Sequence, residues 1–362
     1  MISIIIPTFN EAGNIRLIVP KLSKVLNDEG IDGEIIVVDD NSPDSTADIA
    51  RELAETYPVR VHVRKSEKGL SKAVIKGFEL AKGDICVVMD ADLSHPVERV
   101  PAMIKPILDD KCDATVGSRN VMSGGYQSFP IHRKITSKVA GFMARGVTSL
   151  SDPTSGFMAI NKRMIDGMEL DSLGWKIVLE VIVKTRPRFV EIPIVFSDRK
   201  QGESKLDFKA QFDYIRHLWR LYCYKFPTPF QFIKFSLVGL SGLFVDTAVL
   251  VSCVRLFSFD PRFAAVFAFI AAVCWNYTFD RVWAFDFGRT KKISYSFLMF
   301  VTICLVGLGI RIGVMHLLIE YAQMDESPWY VLASFIGILS ATIFNFFGSK
   351  YIAFSRPFKQ TK

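Results

Sequence analysis

Two patterns of apolar residues divide the chain. Up to about Phe226 short apolar runs alternate with amphipathic segments, and from Phe232 onward four long apolar stretches follow, each of membrane-spanning length. In the first part Ser3 to Ile6 predicts a strand, followed by the loop Pro7-Thr8-Phe9-Asn10-Glu11 and a helix that Asn10 can cap and that ends near Gly30. Glu34 to Val38 predicts a second strand, which runs into Asp39-Asp40-Asn41-Ser42-Pro43 and a helix through Tyr57. A third strand covers Val59 to Val63, and Gly69-Leu70 opens a helix stopped at Gly83. After it come the strand Ile85 to Met89, a helix from His95-Pro96 to Asp109, and the strand Asp113 to Val116, which ends at Gly117-Ser118-Arg119. Such βα alternation predicts a mostly parallel sheet with helices on both faces. The loops at the strand ends then converge on one edge, where open α/β sheets bind ligands.

Between the two parts lie the amphipathic stretches Arg133 to Leu150 and Phe208 to Phe226. The first sets Ile135, Val139 and Phe142 against Arg133, Lys134, Lys138 and Arg145, and the second mixes Phe212, Ile215 and Trp219 with Arg216, Arg220 and Lys225. Apolar faces with basic flanks suit helices lying in a bilayer interface. The spans read Phe232 to Val254, Phe263 to Val282, Tyr295 to Ile319 and Val331 to Ile352. Lys and Arg collect before the first span and after the second and fourth, while the loop after the third is acidic, so both termini and the first domain are expected on the cytoplasmic side of a cell membrane. The spans also repeat: Asn276-Tyr277 with Arg281 and Ala284-Phe285 matches Asn345-Phe346 with Lys350 and Ala353-Phe354. At corresponding positions stand Asp246 and Arg311, and because an unpaired charge inside a span is expensive, both are expected to face the bundle interior and pair.

The chain has 362 residues, half of them hydrophobic, and a net charge of +7. The basic residues gather beside apolar segments and form no long tract, which favours a membrane surface over nucleic acid. Six cysteines without Cys-x-x-Cys spacing imply neither a disulfide framework nor a zinc site. Pro7 follows the short apolar start and no basic segment precedes it, so no signal peptide is expected and the first domain should stay in the cytosol.

The most telling chemistry is Val87-Val88-Met89-Asp90-Ala91-Asp92, a buried strand delivering two carboxylates two residues apart. Hard oxygen donors in such a place suit Mg²⁺ or Mn²⁺, which take a few carboxylates together with substrate phosphates. With the other strand-end motifs, and with Glu67-Lys68-Gly69-Leu70-Ser71, Ser155-Gly156-Phe157 and Gly202-Glu203-Ser204-Lys205-Leu206, the first half resembles the inverting family 2 glycosyltransferases of GT-A fold. Within them it is most similar to the polyprenyl-phosphate hexosyltransferases, the group of the dolichol-phosphate mannose synthases. The second half resembles a GtrA-like membrane domain.

The resemblance implies an α/β, Rossmann-like GT-A catalytic domain over residues 1–206, a juxtamembrane interface helix over 207–230, and an all-α domain of four spans over 231–356. It implies that Pro7, Phe9, Glu11, Val38 and Asp40 hold the nucleoside, that Asp90, Ala91 and Asp92 line the nucleotide sugar, and that Asp90, Asp92 and a more doubtful Ser94 carry the metal. Lys176, Arg199 and Lys205 are the implied diphosphate partners, while Arg119, Arg133 and Ser137 are implied around the acceptor phosphate, with Arg119 also near the reacting atoms. Two departures stand out: Phe9 occupies a place where relatives usually have Tyr, and Ser94 one where many have Gln. The implied reaction moves a hexose to dolichyl or polyprenyl phosphate at the cytosolic face, with GDP-mannose the leading donor and UDP-glucose with undecaprenyl phosphate the alternative. The spans leave room for a homo-oligomer. A reading from a different class makes the membrane half a glycolipid flippase or lipid-binding module, and the intact strand-end motifs argue against it. A processive synthase is disfavoured by the missing Gln-x-x-Arg-Trp, and a dehydrogenase by the lack of a Gly-rich loop after the first strand.

Overall fold

Strands buried on both faces read as unbroken apolar runs, and four of them build the centre of the first half. The computed structural model describes residues 1–66, 68–127, 131–171, 174, 176–197, 208–285, 292–323 and 329–355, leaving aside the side chains of 126–127, 131–134, 197 and 208–209. It divides into two compact units, Met1–Lys225 and Phe226–Lys362. The first unit runs β1 (Ile2–Thr8), α1 (Ala12–Asp28), β2 (Gly33–Asp39), α2 (Thr46–Leu53), β3 (Val59–Val63), α3 (Leu70–Leu80), β4 (Ile85–Val88), α4 (Val100–Leu108) and β5 (Ala114–Ser118). It continues with β6 (Gly125–Gln127), α5 (Ile131–Ala144), β7 (Met158–Asn161), α6 (Ile177–Thr185), β8 (Phe189–Pro193), β9 (Val195–Ser197) and α7 (Phe208–Lys225).

The seven-stranded sheet has the order β3-β2-β1-β4-β7-β5-β8. Among the described residues only β7 runs antiparallel, between β4 and β5, so the sheet is mostly parallel as expected. Strand alternation sorts the core into two layers: Ile4 and Ile6 face α1 and α4 with Ile15, Leu22 and Met103, whereas Ile5 faces α3 and α6 with Val74, Phe78 and Val178. Register then positions the site. Thr8 lies level with Asp39, and Ile5 with Val88, so the chain leaves β1, β2 and β4 along one edge, where Phe9, Asp40 and Asp90 follow.

One expected cap is different. Asn10 sits in the left-handed region (φ 61°), and the Ala12 N–H at the start of α1 donates instead to Asp44 Oδ2 from the neighbouring loop at 3.1 Å.

The amphipathic stretches form α5 and α7, which pack together: Tyr214 Oη and Tyr222 Oη donate to the carbonyls of Ala140 and Met143 at 2.8 and 2.9 Å. Their other faces stay exposed, with Ile135, Val139 and Phe142 on α5 and Phe212, Ile215 and Trp219 on α7.

The second unit holds α8 (Pro227–Phe257), α9 (Pro261–Phe279), α10 (Ile293–Ala322) and α11 (Trp329–Gly348), with π-helical turns at Asp280–Ala284 and Ser349–Ala353. With those turns, four helices among the described residues are long and apolar enough to cross a membrane. The sequence repeat becomes a structural one. Phe232 and Phe235 meet Phe346 as Phe297 and Phe300 meet Tyr277, and Phe285 stacks on Phe354 at the centre. Arg281 of the first hairpin donates to Ser296 Oγ of the second, and Lys350 of the second reaches Thr228 of the first. Each of these ring contacts between the hairpins has its image, which relates the aromatic centre by a pseudo-twofold.

Asp246 and Arg311, expected to face the bundle interior and to pair, do not pair with one another. Arg311 is exposed, Asp246 is half-buried, and neither takes part in an ion pair among the described residues. The polar and aromatic contacts between hairpins concentrate at the Phe285–Phe354 end, so nothing draws these two charges together.

Candidate active site

The ends of β1 and β2 are stitched by Asp39. Its Oδ1 accepts from Thr8 Oγ1 at 2.9 Å and from Ser42 Oγ at 2.6 Å, and its Oδ2 accepts the Ser42 N–H at 2.8 Å. Asp40, the next residue, is engaged differently: Arg64 Nη1 donates to Oδ1 at 2.9 Å and the Gly69 N–H to Oδ2 at 2.6 Å. Both Asp40 and Arg64 are buried, so the pair matches one desolvated charge with another. Each carboxylate oxygen keeps acceptor capacity for a nucleoside donor. Phe9 is 38 % exposed, and Lys68 Nζ lies 5.4 Å from its ring centroid. Pro7 and Val38 are buried in their strands, and Glu11 Oε2 accepts from Asn14 Nδ2 at 2.6 Å. Arg64 escaped the sequence reading because its partner lies 24 positions away and no local motif announces it.

Beyond β4 the chain turns sharply through Asp90-Ala91-Asp92, with Leu93 in the left-handed region (φ 61°). Asp92 Oδ1 accepts the Ser94 N–H at 3.0 Å, which closes the turn. Ala91 is buried. His95 supports the turn from below: it is buried, stacks on Phe157 at 5.2 Å, and accepts the Asp90 N–H on Nδ1 at 3.1 Å. That bond assigns the remaining ring proton to Nε2. Burial lowers the His95 pKa and outweighs the pull of Asp90 and Asp92, so the ring is neutral and braces the turn. Gly156 comes close to Asp90, for a Cβ there would lie 3.5 Å from Oδ2.

The donor set fits a hard divalent cation. Asp90 is partly exposed, and its oxygens accept no hydrogen bond among the described residues; the buried Ser94 Oγ is likewise without a partner among them. No group of three His, Cys, Asp or Glu gathers among the described residues, so two carboxylates and a hydroxyl leave the rest of a coordination shell to substrate and water.

Across the loop from Asp152 to Phe157 lies a cationic cluster. Arg119 Nε and Nη2 donate to Asp152 Oδ2 and Oδ1 at 2.6 and 2.7 Å, and its guanidinium lies 5.2 Å from the Phe196 ring centroid. Thr154 Oγ1 accepts from Arg119 Nη2 at 2.7 Å and lies 3.1 Å from Ser137 Oγ. Lys176 Nζ donates to the Thr154 carbonyl at 2.8 Å. Burial, then the neighbouring Arg119, lowers the Lys176 pKa to about 8 against the pull of Asp152 and Asp90. The structure therefore gathers Arg119, Ser137 and Lys176 around Thr154 of one loop, whose Gly156 lies close to Asp90. The Arg133 side chain, Arg199 and Lys205 lie outside the described residues. Asp152 and Thr154 were missed by sequence, although the neighbouring Ser155-Gly156-Phe157 marked the spot.

A sheet edge that presents an acidic pair beside a cluster of cations, in a chain that also carries four spans, is the build of a membrane-bound glycosyltransferase with a GT-A-like domain. Residues 3–167 match the model of glycosyl transferase family 2, and residues 234–354 that of the GtrA/DPMS transmembrane domain. The chain is 36 % identical over 356 residues to a dolichol-phosphate mannosyltransferase of Pyrococcus furiosus, covering 97 % of each. It is 39 % identical over 251 residues to the enzyme of that name from Mycosarcoma maydis, covering 66 % of this chain and 85 % of the relative. A glucosyl-3-phosphoglycerate synthase structure from Mycobacterium tuberculosis superposes with a TM-score of 0.48 at 18 % identity, covering 61 % of this chain and 79 % of that one. The chain belongs to glycosyl transferase family 2.

Proposed function

We propose that the protein transfers mannose from GDP-mannose to dolichyl or another polyprenyl phosphate, with inversion, at the cytosolic membrane face. The observation that carries this reading is the match along 97 % of the chain to a relative named dolichol-phosphate mannosyltransferase, which spans both the catalytic and the membrane half. Residues 1–206 act as the catalytic domain, 207–230 as an interface helix and 231–356 as the membrane domain, with both termini cytoplasmic. The exposed apolar faces of α5 and α7 support the interface role.

In this reading Phe9 stacks on the base, Asp40 accepts from base or ribose, and Pro7, Glu11 and Val38 shape the walls. Asp90 and Asp92, with Ser94 beside them, hold Mg²⁺ or Mn²⁺. When bound, the cation supplies charge to the departing diphosphate. Lys176, Arg199 and Lys205 add cationic donors to the same oxygens, while Arg119, Arg133 and Ser137 align the lipid phosphate. A phosphate monoester is mostly dianionic at neutral pH, so it needs no protein base. Its oxygen forms the new bond to the anomeric carbon as the bond to the diphosphate breaks, and the nucleotide leaves with that electron pair. Positioning then provides most of the rate.

The test is purified full-length protein assayed with a panel of nucleotide sugars and one polyprenyl phosphate, with Mn²⁺ and with chelator. Mannosyl transfer from GDP-mannose that stops on chelation is expected. Preference for another donor, or turnover undiminished without divalent ions, contradicts the proposal.

A further inference from the structure

Arg119 enters the site already held. Besides the two side-chain bonds to Asp152, its backbone N–H donates to Asp152 Oδ2 at 3.1 Å, and Asp152 is fully buried. The loop carrying Asp152 is fixed from the opposite side, where the amides of Ser151 and Asp152 donate to the Glu191 carboxylate at 2.9 and 3.2 Å. Thr154 Oγ1 donates in turn to Asp152 Oδ1 at 2.9 Å. Hydrogen bonds and the Arg119 charge keep the Asp152 carboxyl below the usual range, although burial alone would raise it, so it stays ionised. A forked pair of this kind fixes the plane and the rotation of a guanidinium. Phe196 covers one face of that plane.

From this geometry we infer that Asp152 is a positioning residue: it fixes Arg119 in one orientation and offsets its charge, so that Arg119 aligns the acceptor phosphate without trapping the product. The inference rests on the proposed transfer to a lipid phosphate. The acceptor arrives as a dianion and departs as a diester with a single negative charge. A buried, uncompensated guanidinium would hold both strongly. Paired with Asp152, it acts mainly through directed N–H groups, and these depend on geometry more than on total charge. The same loop ties this geometry to the donor side, because Thr154 also accepts from Lys176 and Gly156 lies against Asp90.

The experiment compares full-length wild type with Asp152→Asn and Asp152→Glu, measuring kcat, the KM for the lipid phosphate, and inhibition by the glycosyl-lipid product. For Asp152→Asn the expectation is a kcat at least tenfold lower, a lipid KM unchanged or reduced, and product inhibition several-fold stronger. Asp152→Glu restores the charge but displaces the fork, so product inhibition returns to within twofold of wild type while kcat stays low. Thermal melting accompanies each variant. A merely structural role lowers the folded fraction and leaves the lipid KM and the product inhibition constant of the folded enzyme unchanged, and that result overturns the inference. If Asp152→Asn does not fold, Asp152→Glu decides alone, and wild-type kcat in that variant is then the contrary outcome. Wild type that moves no sugar to any lipid phosphate defeats the proposed function itself, whereas a working wild type with indifferent Asp152 variants defeats only this inference.

Discussion

Neighbouring acids at this site have unlike roles, and their partners reveal it. Asp39 is consumed in tying two loops together, Asp40 is matched by Arg64, and Asp90 offers oxygens that accept no hydrogen bond among the described residues. Asp90→Ala is therefore expected to abolish turnover, at least a thousandfold in kcat, with the melting temperature nearly unchanged, and stopped transfer assays beside a thermal scan check both. Lys176 gives a pH signature. In the empty site its ammonium is lost as pH rises through about 8, so affinity for the anionic donor should fall above that pH, and donor binding there should take up a proton. The same shift has a defined sign for stability: between about pH 8 and its ordinary value of 10.5 the unfolded chain binds more protons at this residue, so the empty fold gains stability across that window. Donor KM measured from pH 6.5 to 9.5 should rise on the alkaline side for wild type and stay flat for Lys176→Arg, since arginine keeps its charge. The carboxylate pair was legible in sequence because both members lie two residues apart after an apolar strand. The Asp40–Arg64 and Asp152–Arg119 pairs were not, since each joins residues more than twenty positions apart that only the fold brings together.

Among the elements, β1, β2, β4 and β5 were the easy part, because burial on both faces leaves few polar positions to blur the pattern, whereas the parallel but partly exposed β8 carries no such run and went unread. The antiparallel β7 is four residues long, Met-Ala-Ile-Asn, too short for periodicity to register; its place is fixed by ladders to β4 and β5. The amphipathic stretches were legible for the same reason that they are useful. On α7 one side packs Leu218 and Leu221 into the unit, while Phe212, Ile215 and Trp219 remain outside. If that outer face docks on the bilayer as proposed, Phe212→Glu with Trp219→Glu should reduce transfer to a long-chain acceptor in lipid vesicles at least fivefold. Transfer to a short water-soluble acceptor should stay within twofold. Equal loss with both acceptors would point to damage inside the catalytic unit.

On the scale of the whole molecule, the repeat in the membrane half predicts that equivalent substitutions cost alike. Gly242 and Gly307 each lie under an asparagine, and a Cβ at either would approach the amide carbon of Asn276 or Asn345 to 2.7 Å. Gly242→Ala and Gly307→Ala should each destabilise by about 1–3 kcal/mol through overpacking, read as lower melting temperatures in detergent. Asn276→Ala and Asn345→Ala, respectively, should recover most of the loss. The duplication was visible in the residue spacing, but the fate of Asp246 and Arg311 was not: spacing marks them as equivalent and says nothing of whether two hairpins close far enough for charges to meet.

The exchange of Arg281 to Ser296 and Lys350 to Thr228 has a bearing on how such a bundle arises. A lone hairpin with one such basic arm and one receiving helix start would be self-complementary, and two identical molecules of it would assemble as a symmetric dimer with the same aromatic centre. Joining the two genes end to end would turn that dimer into a single polypeptide, free thereafter to let its halves diverge, as aspartate and arginine have at one matched position.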